Sequence, residues 1–155
     1  MAWPQSGDSA HDLTLPDQNG TSVTLSALWA TGPVVLYFYP KDETAGCTAE
    51  ACSFRDSFEV FRDAGAHVVG VSRDSVESHK NFAAHHRLPF TLLADVEGVG
   101  HRAWNIQKRL GLLTDRVTFV IDQKGVIRHT FASHLRMGAH IAESLAVVKR
   151  LQLGA

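Results

Sequence analysis

The chain has 155 residues, 45% of them hydrophobic and 20% charged, with a formal net charge of −1 at pH 7. These values indicate one soluble domain, residues 1–155, with enough chain to bury a sizeable core. They exclude the basic footprint of a nucleic-acid binder, and no apolar run approaches the roughly 18 residues of a membrane span.

Residues 1–10 read as a loose polar lead-in. They have neither a basic n-region nor an apolar core, so no signal peptide is expected and the chain is placed in the cytoplasm. Asp12–Leu15 and Ser22–Leu25 flank an Asn19-Gly20 pair, a strong hairpin signal. A helical turn follows over Ser26–Trp29. Val34–Tyr39 is an unbroken β-branched and aromatic run, the pattern of a strand buried on both faces. Pro40 stops it, because proline cannot donate to a ladder. Phe54, Phe58 and Phe61 then recur at i, i+4 and i+7, the apolar face of a helix.

Gly65 closes that helix, and Ala66–Ser72 is a second buried strand. Asp74 or Ser75 caps a helix over Val76–His86, closed by Leu88-Pro89. Phe90–Ala94 reads as a short strand and Gly98–Trp104 as a short helix. Arg116–Asp122 and Val126–Phe131 form a hairpin about Gln123-Lys124-Gly125. Ile141, Leu145, Val148 and Leu151 give a closing amphipathic helix. Strands alternating with helices, then a terminal hairpin and helix, predict an α/β fold with a mixed central sheet.

Both cysteines lie in the stretch that joins the first buried strand to the phenylalanine helix. Cys47 falls at or just inside the helix N-terminus, where unpartnered N–H groups and the positive end of the macrodipole favour an anion. It therefore reads as a reactive thiolate, with Arg55 or an arginine from elsewhere as a further source of positive charge. The competing reading is a buried structural cysteine, disfavoured by the polar approach Lys41-Asp42-Glu43-Thr44. Cys52 lies at i+5, which on an intact helix separates the two Cα atoms by roughly 8.6 Å. A disulfide needs less than about 7 Å. A bridge between them thus requires the first turns to unwind, and Ala49, Glu50 and Ala51 supply few large anchors against it. Two cysteines so placed argue for redox chemistry in a reducing compartment.

The segment Phe38–Asp56, with Pro40, Thr44, Cys47 and Cys52 in its pattern, resembles the active-site segment of peroxiredoxins, in particular the peroxiredoxin Q or bacterioferritin comigratory protein subgroup. One departure is Ala45, where that subgroup often has proline; it removes no reacting group. The resemblance extends from about Asp12 to Leu151 and implies a thioredoxin-like fold with peroxiredoxin elaborations. It assigns the peroxidatic role to Cys47 and the resolving role to Cys52. It also selects Arg116, in Arg116-Val-Thr-Phe-Val-Ile-Asp122, as the arginine that meets the reactive cysteine. Pattern alone left Arg109 and Arg128 as competitors.

The implied activity is reduction of hydrogen peroxide and small organic hydroperoxides through a Cys47 sulfenic acid, which Cys52 condenses to a disulfide. Thr44 offers a hydroxyl to orient the attacked oxygen, and the Gly46 and Cys47 N–H groups can donate to it. Arg116 stays cationic, and Pro40 shields the sulfur. As bland readings, Pro40 is a strand terminator, Thr44 a helix cap and Glu50 a capping residue.

Thioredoxin or a similar dithiol protein is the implied reductant, a monomer the implied state, and no cofactor or metal is needed. None of the nine histidines pairs with a cysteine at zinc-ligand spacing, and His85-His86 read as surface residues facing the helix dipole. Two alternatives remain: a general thiol–disulfide oxidoreductase, disfavoured by the lack of Cys-x-x-Cys, and a non-enzymatic redox sensor.

Overall fold

The computed structural model describes residues 3–109 and 113–153, with backbone alone at 108, 109 and 113. In chain order the elements are β1 (Thr14–Pro16), β2 (Ser22–Thr24), α1 (Leu25–Trp29), β3 (Val34–Phe38), α2 (Ala45–Asp56), α3 (Phe58–Asp63) and β4 (His67–Ser72). They continue with α4 (Val76–His86), β5 (Thr91–Ala94), α5 (Val99–Ala103), β6 (Lys108–Arg109), β7 (Leu113–Thr114), β8 (Val117–Ile121), β9 (Ile127–Ala132) and α6 (Met137–Gln152). The central sheet runs β5-β4-β3-β8-β9. Its first three strands are parallel, while β8 and β9 are antiparallel to their neighbours. This is the expected mixed α/β sheet.

Strand β3 is the middle of that sheet, and all five of its residues are buried. Because successive side chains point to opposite faces, its unbroken apolar run splits into two sets. Val35, Tyr37 and Tyr39 join one core layer with Ala51 and Phe54 of α2, Phe61 of α3, Phe82 of α4 and Val147 and Val148 of α6. Val34, Leu36 and Phe38 join the other with Leu25, Trp104 and Phe119. Both faces of β3 are covered, which is why no polar residue interrupts it. Among the described residues no helix is long and apolar enough to cross a membrane.

Two expectations need correction, the single phenylalanine helix and the loose lead-in. The phenylalanine helix is two helices, broken at Ser57 (φ −101°, ψ 4°); Phe54 and Phe61 enter the core whereas Phe58 packs at its edge. The expected hairpin forms, with the Asn19-Gly20 pair inside a five-residue connection between β1 and β2. There the Asp17 carboxylate accepts the N–H groups of Asn19 and Thr21, which stabilises the longer loop.

The lead-in is not loose: Gly7 N–H donates to the Ile127 carbonyl (2.7 Å), Ile127 N–H to the Asp8 carbonyl (2.9 Å) and Ala10 N–H to the Gly125 carbonyl (2.8 Å). It covers the outer edge of β9, whose backbone groups otherwise face no partner strand. Finally, β6 and β7 form a small antiparallel ladder too short to leave any periodic signal.

Candidate active site

Thr44 occupies the N-cap of α2 with extended backbone (φ −77°, ψ 153°). The first intrahelical bond runs from Thr48 N–H to the Thr44 carbonyl (2.8 Å). The N–H groups of Ala45, Gly46 and Cys47 precede that bond, and the Thr44 side chain caps none of them. Cys47 sits among them in the first turn, 1% exposed. The burial that a structural cysteine would show is present, but so is a charged partner: Arg116 Nη2 donates to Cys47 Sγ at 3.3 Å.

Arg116 comes from the residue just ahead of β8. The β3–β8 register pairs Phe38 with Val117, so Arg116 arrives beside the end of β3, where the chain turns into the Pro40–Thr44 loop. Its guanidinium also donates from Nη1 to Glu50 Oε1 at 2.6 Å. Burial works against the charge of Arg116, yet Glu50 and Cys47 beside it hold its pKa above the ordinary arginine value.

The other arginines go elsewhere. Arg128 pairs with Asp122 at 2.7 Å, and the side chain of Arg109 lies outside the described residues. Arg55 does not approach Cys47. It donates to the His86 carbonyl (2.8 Å) and pairs with Asp56, because it lies about two turns further along the helix, in its last turn.

Glu50 is the residue whose expected role changes most. It is not a surface cap but fully buried, one turn after Cys47 on the same helix face. Burial pushes its carboxyl up to about 7, against the opposing pull of Arg116. Its second oxygen, Oε2, lies 3.6 Å from His140 Nδ1 and has no hydrogen-bond partner. His140 is also buried, and burial lowers its pKa to about 4. The neutral ring donates from Nε2 to the Ser133 carbonyl (2.8 Å), which leaves Nδ1 to accept from the Thr118 hydroxyl (2.7 Å).

A pH dependence follows from Glu50. Its folded pKa is raised above the unfolded value of 4.5, so the folded state keeps a proton that the unfolded chain gives up. The stability this contributes is present below pH 4.5 and is lost as pH rises to about 7. Glu50→Gln should therefore gain stability relative to the unmodified chain over that window. The gain should be on the order of 3 kcal/mol and level off above it. Denaturant titrations of both proteins at a series of pH values check this; a constant difference would show that Glu50 does not titrate there.

The remaining expected site residues line the approach. Thr44 is exposed, and its hydroxyl donates to the Lys41 carbonyl at 3.0 Å. Pro40 is half-buried just beyond β3. Gly46 is the tight point: a Cβ there would meet Arg116 Nη2 at 3.1 Å and Met137 Cε at 3.2 Å. Gly46→Ala should push Arg116 off Cys47 by a few tenths of an ångström. That misplacement should lower kcat/KM for peroxide by roughly tenfold with the fold intact, read from initial rates and circular dichroism.

Cys52 is half-buried, both cysteines are free thiols, and α2 is continuous between them. The loop ahead of Thr44 is braced by an interior cluster that sequence reading missed. Asp42 accepts from the Tyr39 hydroxyl (2.6 Å) and the Ser78 hydroxyl (2.8 Å) and lies 2.7 Å from His79 Nδ1. These residues are far apart in the chain and carry no shared spacing. Glu50 did carry a signal, its position one turn from Cys47.

The profile of the AhpC/TSA family matches residues 6–130. A chloroplastic peroxiredoxin Q of Triticum aestivum is 45% identical over 146 residues, 94% of this chain and 67% of that protein. The crystal structure of peroxidoxin BcpB from Mycobacterium tuberculosis superposes with a TM-score of 0.88 at 39% identity, covering 95% of this chain and 97% of that one. The bacterioferritin comigratory protein of Xanthomonas campestris, studied for its alkyl peroxide reduction activity, gives 0.83 at 33% identity over 94% and 99%. The plant relatives are chloroplastic by name, which overturns the cytoplasmic placement expected from the sequence. Cysteine usage reports a reducing compartment without saying which one.

Proposed function

This chain belongs to the AhpC/TSA family, in its peroxiredoxin Q group, and on that premise we propose how its residues reduce peroxides. The family fixes a thiol peroxidase that takes peroxide substrates and a thiol reductant. Cys47 is the nucleophile. Its thiolate attacks one peroxide oxygen, the O–O bond breaks, and the other oxygen leaves as water or alcohol after taking a proton. Cys47 is thereby oxidised to a sulfenic acid. The observation that carries this reading is the Arg116 guanidinium, bonded at once to Cys47 Sγ and to Glu50. It places a fixed positive charge beside the thiolate and beside the charge that develops on the departing oxygen.

The N–H groups of Gly46 and Cys47 add donors at the helix N-terminus. Thr44 orients the attacked oxygen by turning its hydroxyl from the Lys41 carbonyl, and Pro40 shields the sulfur. Cys52 resolves the intermediate: its thiol attacks the Cys47 sulfur, water leaves, and an intramolecular disulfide forms. With α2 intact the Cα atoms are too far apart, roughly 8.6 Å, so the first turns must unwind. Thioredoxin or a like dithiol then reduces the bridge. Hydrogen peroxide and small organic hydroperoxides are the substrates, and the chain works as a single domain and a monomer, since resolution needs no second copy.

The test is a stopped-flow mix of reduced protein with hydrogen peroxide, followed by tryptophan fluorescence, with free cysteine at matched thiolate fraction as reference. Oxidation should be faster than free cysteine by at least roughly two orders of magnitude. In Cys52→Ser the reaction should stop at a sulfenic acid that a dimedone probe traps, and thioredoxin turnover should cease. A rate no better than free cysteine would instead favour a non-enzymatic redox sensor.

A further inference from the structure

Outside the peroxide site, one cluster joins the loop ahead of Cys47 to the end of α4. Glu43 points its carboxylate between two neighbouring histidines, with Oε2 2.9 Å from His85 Nδ1 and Oε1 2.8 Å from His86 Nε2. The imidazole rings stand 4.1 Å apart. One ligand atom from each of the three residues lies within 4.8 Å of the others. His85 and Glu43 are open to solvent, at 66% and 47% side-chain exposure, while His86 is held against Phe82. They stand in the last turn of α4, at the surface as expected from the sequence, with Glu43 as a partner the sequence did not show.

We propose that Glu43, His85 and His86 form a binding site for a zinc-class divalent transition-metal ion, and that the bound ion slows disulfide formation by pinning the segment before Cys47. Two imidazole nitrogens and a carboxylate make a zinc donor set that leaves a fourth position for water. Tetrahedral ligands at zinc distances stand roughly 3.3 Å apart. The two short contacts use different carboxylate oxygens, so for one oxygen to serve both histidines the ligand atoms, now within 4.8 Å of one another, must draw in to that spacing, which the exposed Glu43 and His85 side chains are free to do. The ring nitrogens that donate to Glu43 must give up those protons in exchange for the ion, and the other nitrogen of each ring is the one that then carries the proton.

The buried cluster of Asp42, Asp74 and His79 is the poorer candidate. Its oxygens are already taken by the Tyr39, Ser72 and Ser78 hydroxyls and the Asp42 N–H.

The consequence follows from position, and this half of the inference rests on the peroxidase reading above. Glu43 directly precedes the N-cap Thr44, and Arg55 of the last turn of α2 donates to the His86 carbonyl. The end of α4 therefore grips both flanks of the helix that must unwind before Cys52 can reach Cys47. Replacing two hydrogen bonds at Glu43 with metal bonds tightens the first grip.

Zinc ion is the probe. Binding is measured by calorimetry on the Cys47→Ser/Cys52→Ser chain, so that thiols do not compete. One ion should bind, and His85→Ala or Glu43→Gln in that background should weaken it by roughly tenfold or more. A chain that does not bind zinc, or one whose binding survives both substitutions, overturns the site. On the chain with both cysteines, zinc should slow the second fluorescence phase, disulfide formation, at least severalfold, and His85→Ala should abolish the effect. Zinc bound at these residues with that phase unchanged overturns the pinning. The calorimetric arm stands or falls without any peroxidase activity.

Discussion

Cys47→Ser is expected to reduce peroxide consumption to the background of buffer and reductant, a loss of roughly three orders of magnitude or more. The chemistry allows no substitute. The step oxidises sulfur to a sulfenic acid, a state that a serine oxygen cannot reach, and the Arg116 guanidinium bonds Cys47 and Glu50. The fold should barely notice. The hydroxyl still accepts from Arg116 Nη2, and the site beside Ala51 and Phe54 loses little volume, so a change of about 1 kcal/mol is expected. Peroxide consumption coupled to a dithiol reductant, alongside a thermal melt, reads both quantities. Residual peroxidase activity at a tenth of the starting rate would move the nucleophile elsewhere.

Arg116→Met is the second large effect, and it separates catalysis from stability. Catalysis should fall by roughly two to three orders of magnitude in kcat/KM, because a fixed donor beside the developing charge is removed. Stability should fall for a different reason. Glu50 is left fully buried without its counter-charge, and breaking a buried pair from one side costs about 3–5 kcal/mol while the orphaned group stays ionised. Glu50 can escape by keeping a proton, since burial already holds its pKa near 7. The destabilisation should therefore be small at pH 5 and large at pH 8. Adding Glu50→Gln should restore stability at pH 8 without restoring activity. Peroxide kinetics at saturating reductant and melts at both pH values check each limb; unchanged kinetics in Arg116→Met would remove Arg116 from the mechanism.

Residues close in sequence were legible where their meaning is local. Val34–Phe38 announced a strand buried on both faces, because covered faces demand apolar residues at every position. Ser75 announced the start of α4 and does accept the Ser78 N–H. Pro40, Thr44 and Cys47 announced a strand-to-helix turn with the sulfur at a helix N-terminus, since proline, cap and dipole all act within a few residues. The five-residue interval to Cys52 follows from helix geometry in the same way.

What composition and spacing could not supply is what arrives from across the sheet. Nothing in residues 45–56 says that Arg116, 69 positions away, donates to Cys47, or that Glu50 turns inward to meet it. Family resemblance pointed to the arginine, and a bland cap reading missed the glutamate. The β3–β8 register delivers Arg116 to the turn after β3, and the start of α6 brings Met137 against Gly46 and His140 beside Glu50.

The lead-in was misread, and the Glu43 partner of His85-His86 went unseen, for the same cause: β9 and Glu43 lie more than forty residues away or across a sheet edge. The sequence by itself determined that Cys47 stands at a helix N-terminus with Cys52 five residues further along the same helix, because backbone hydrogen bonding and side-chain periodicity are short-ranged. The tertiary structure alone decided which charges surround that sulfur, because a buried charge is held by partners that only strand register and helix packing bring within reach.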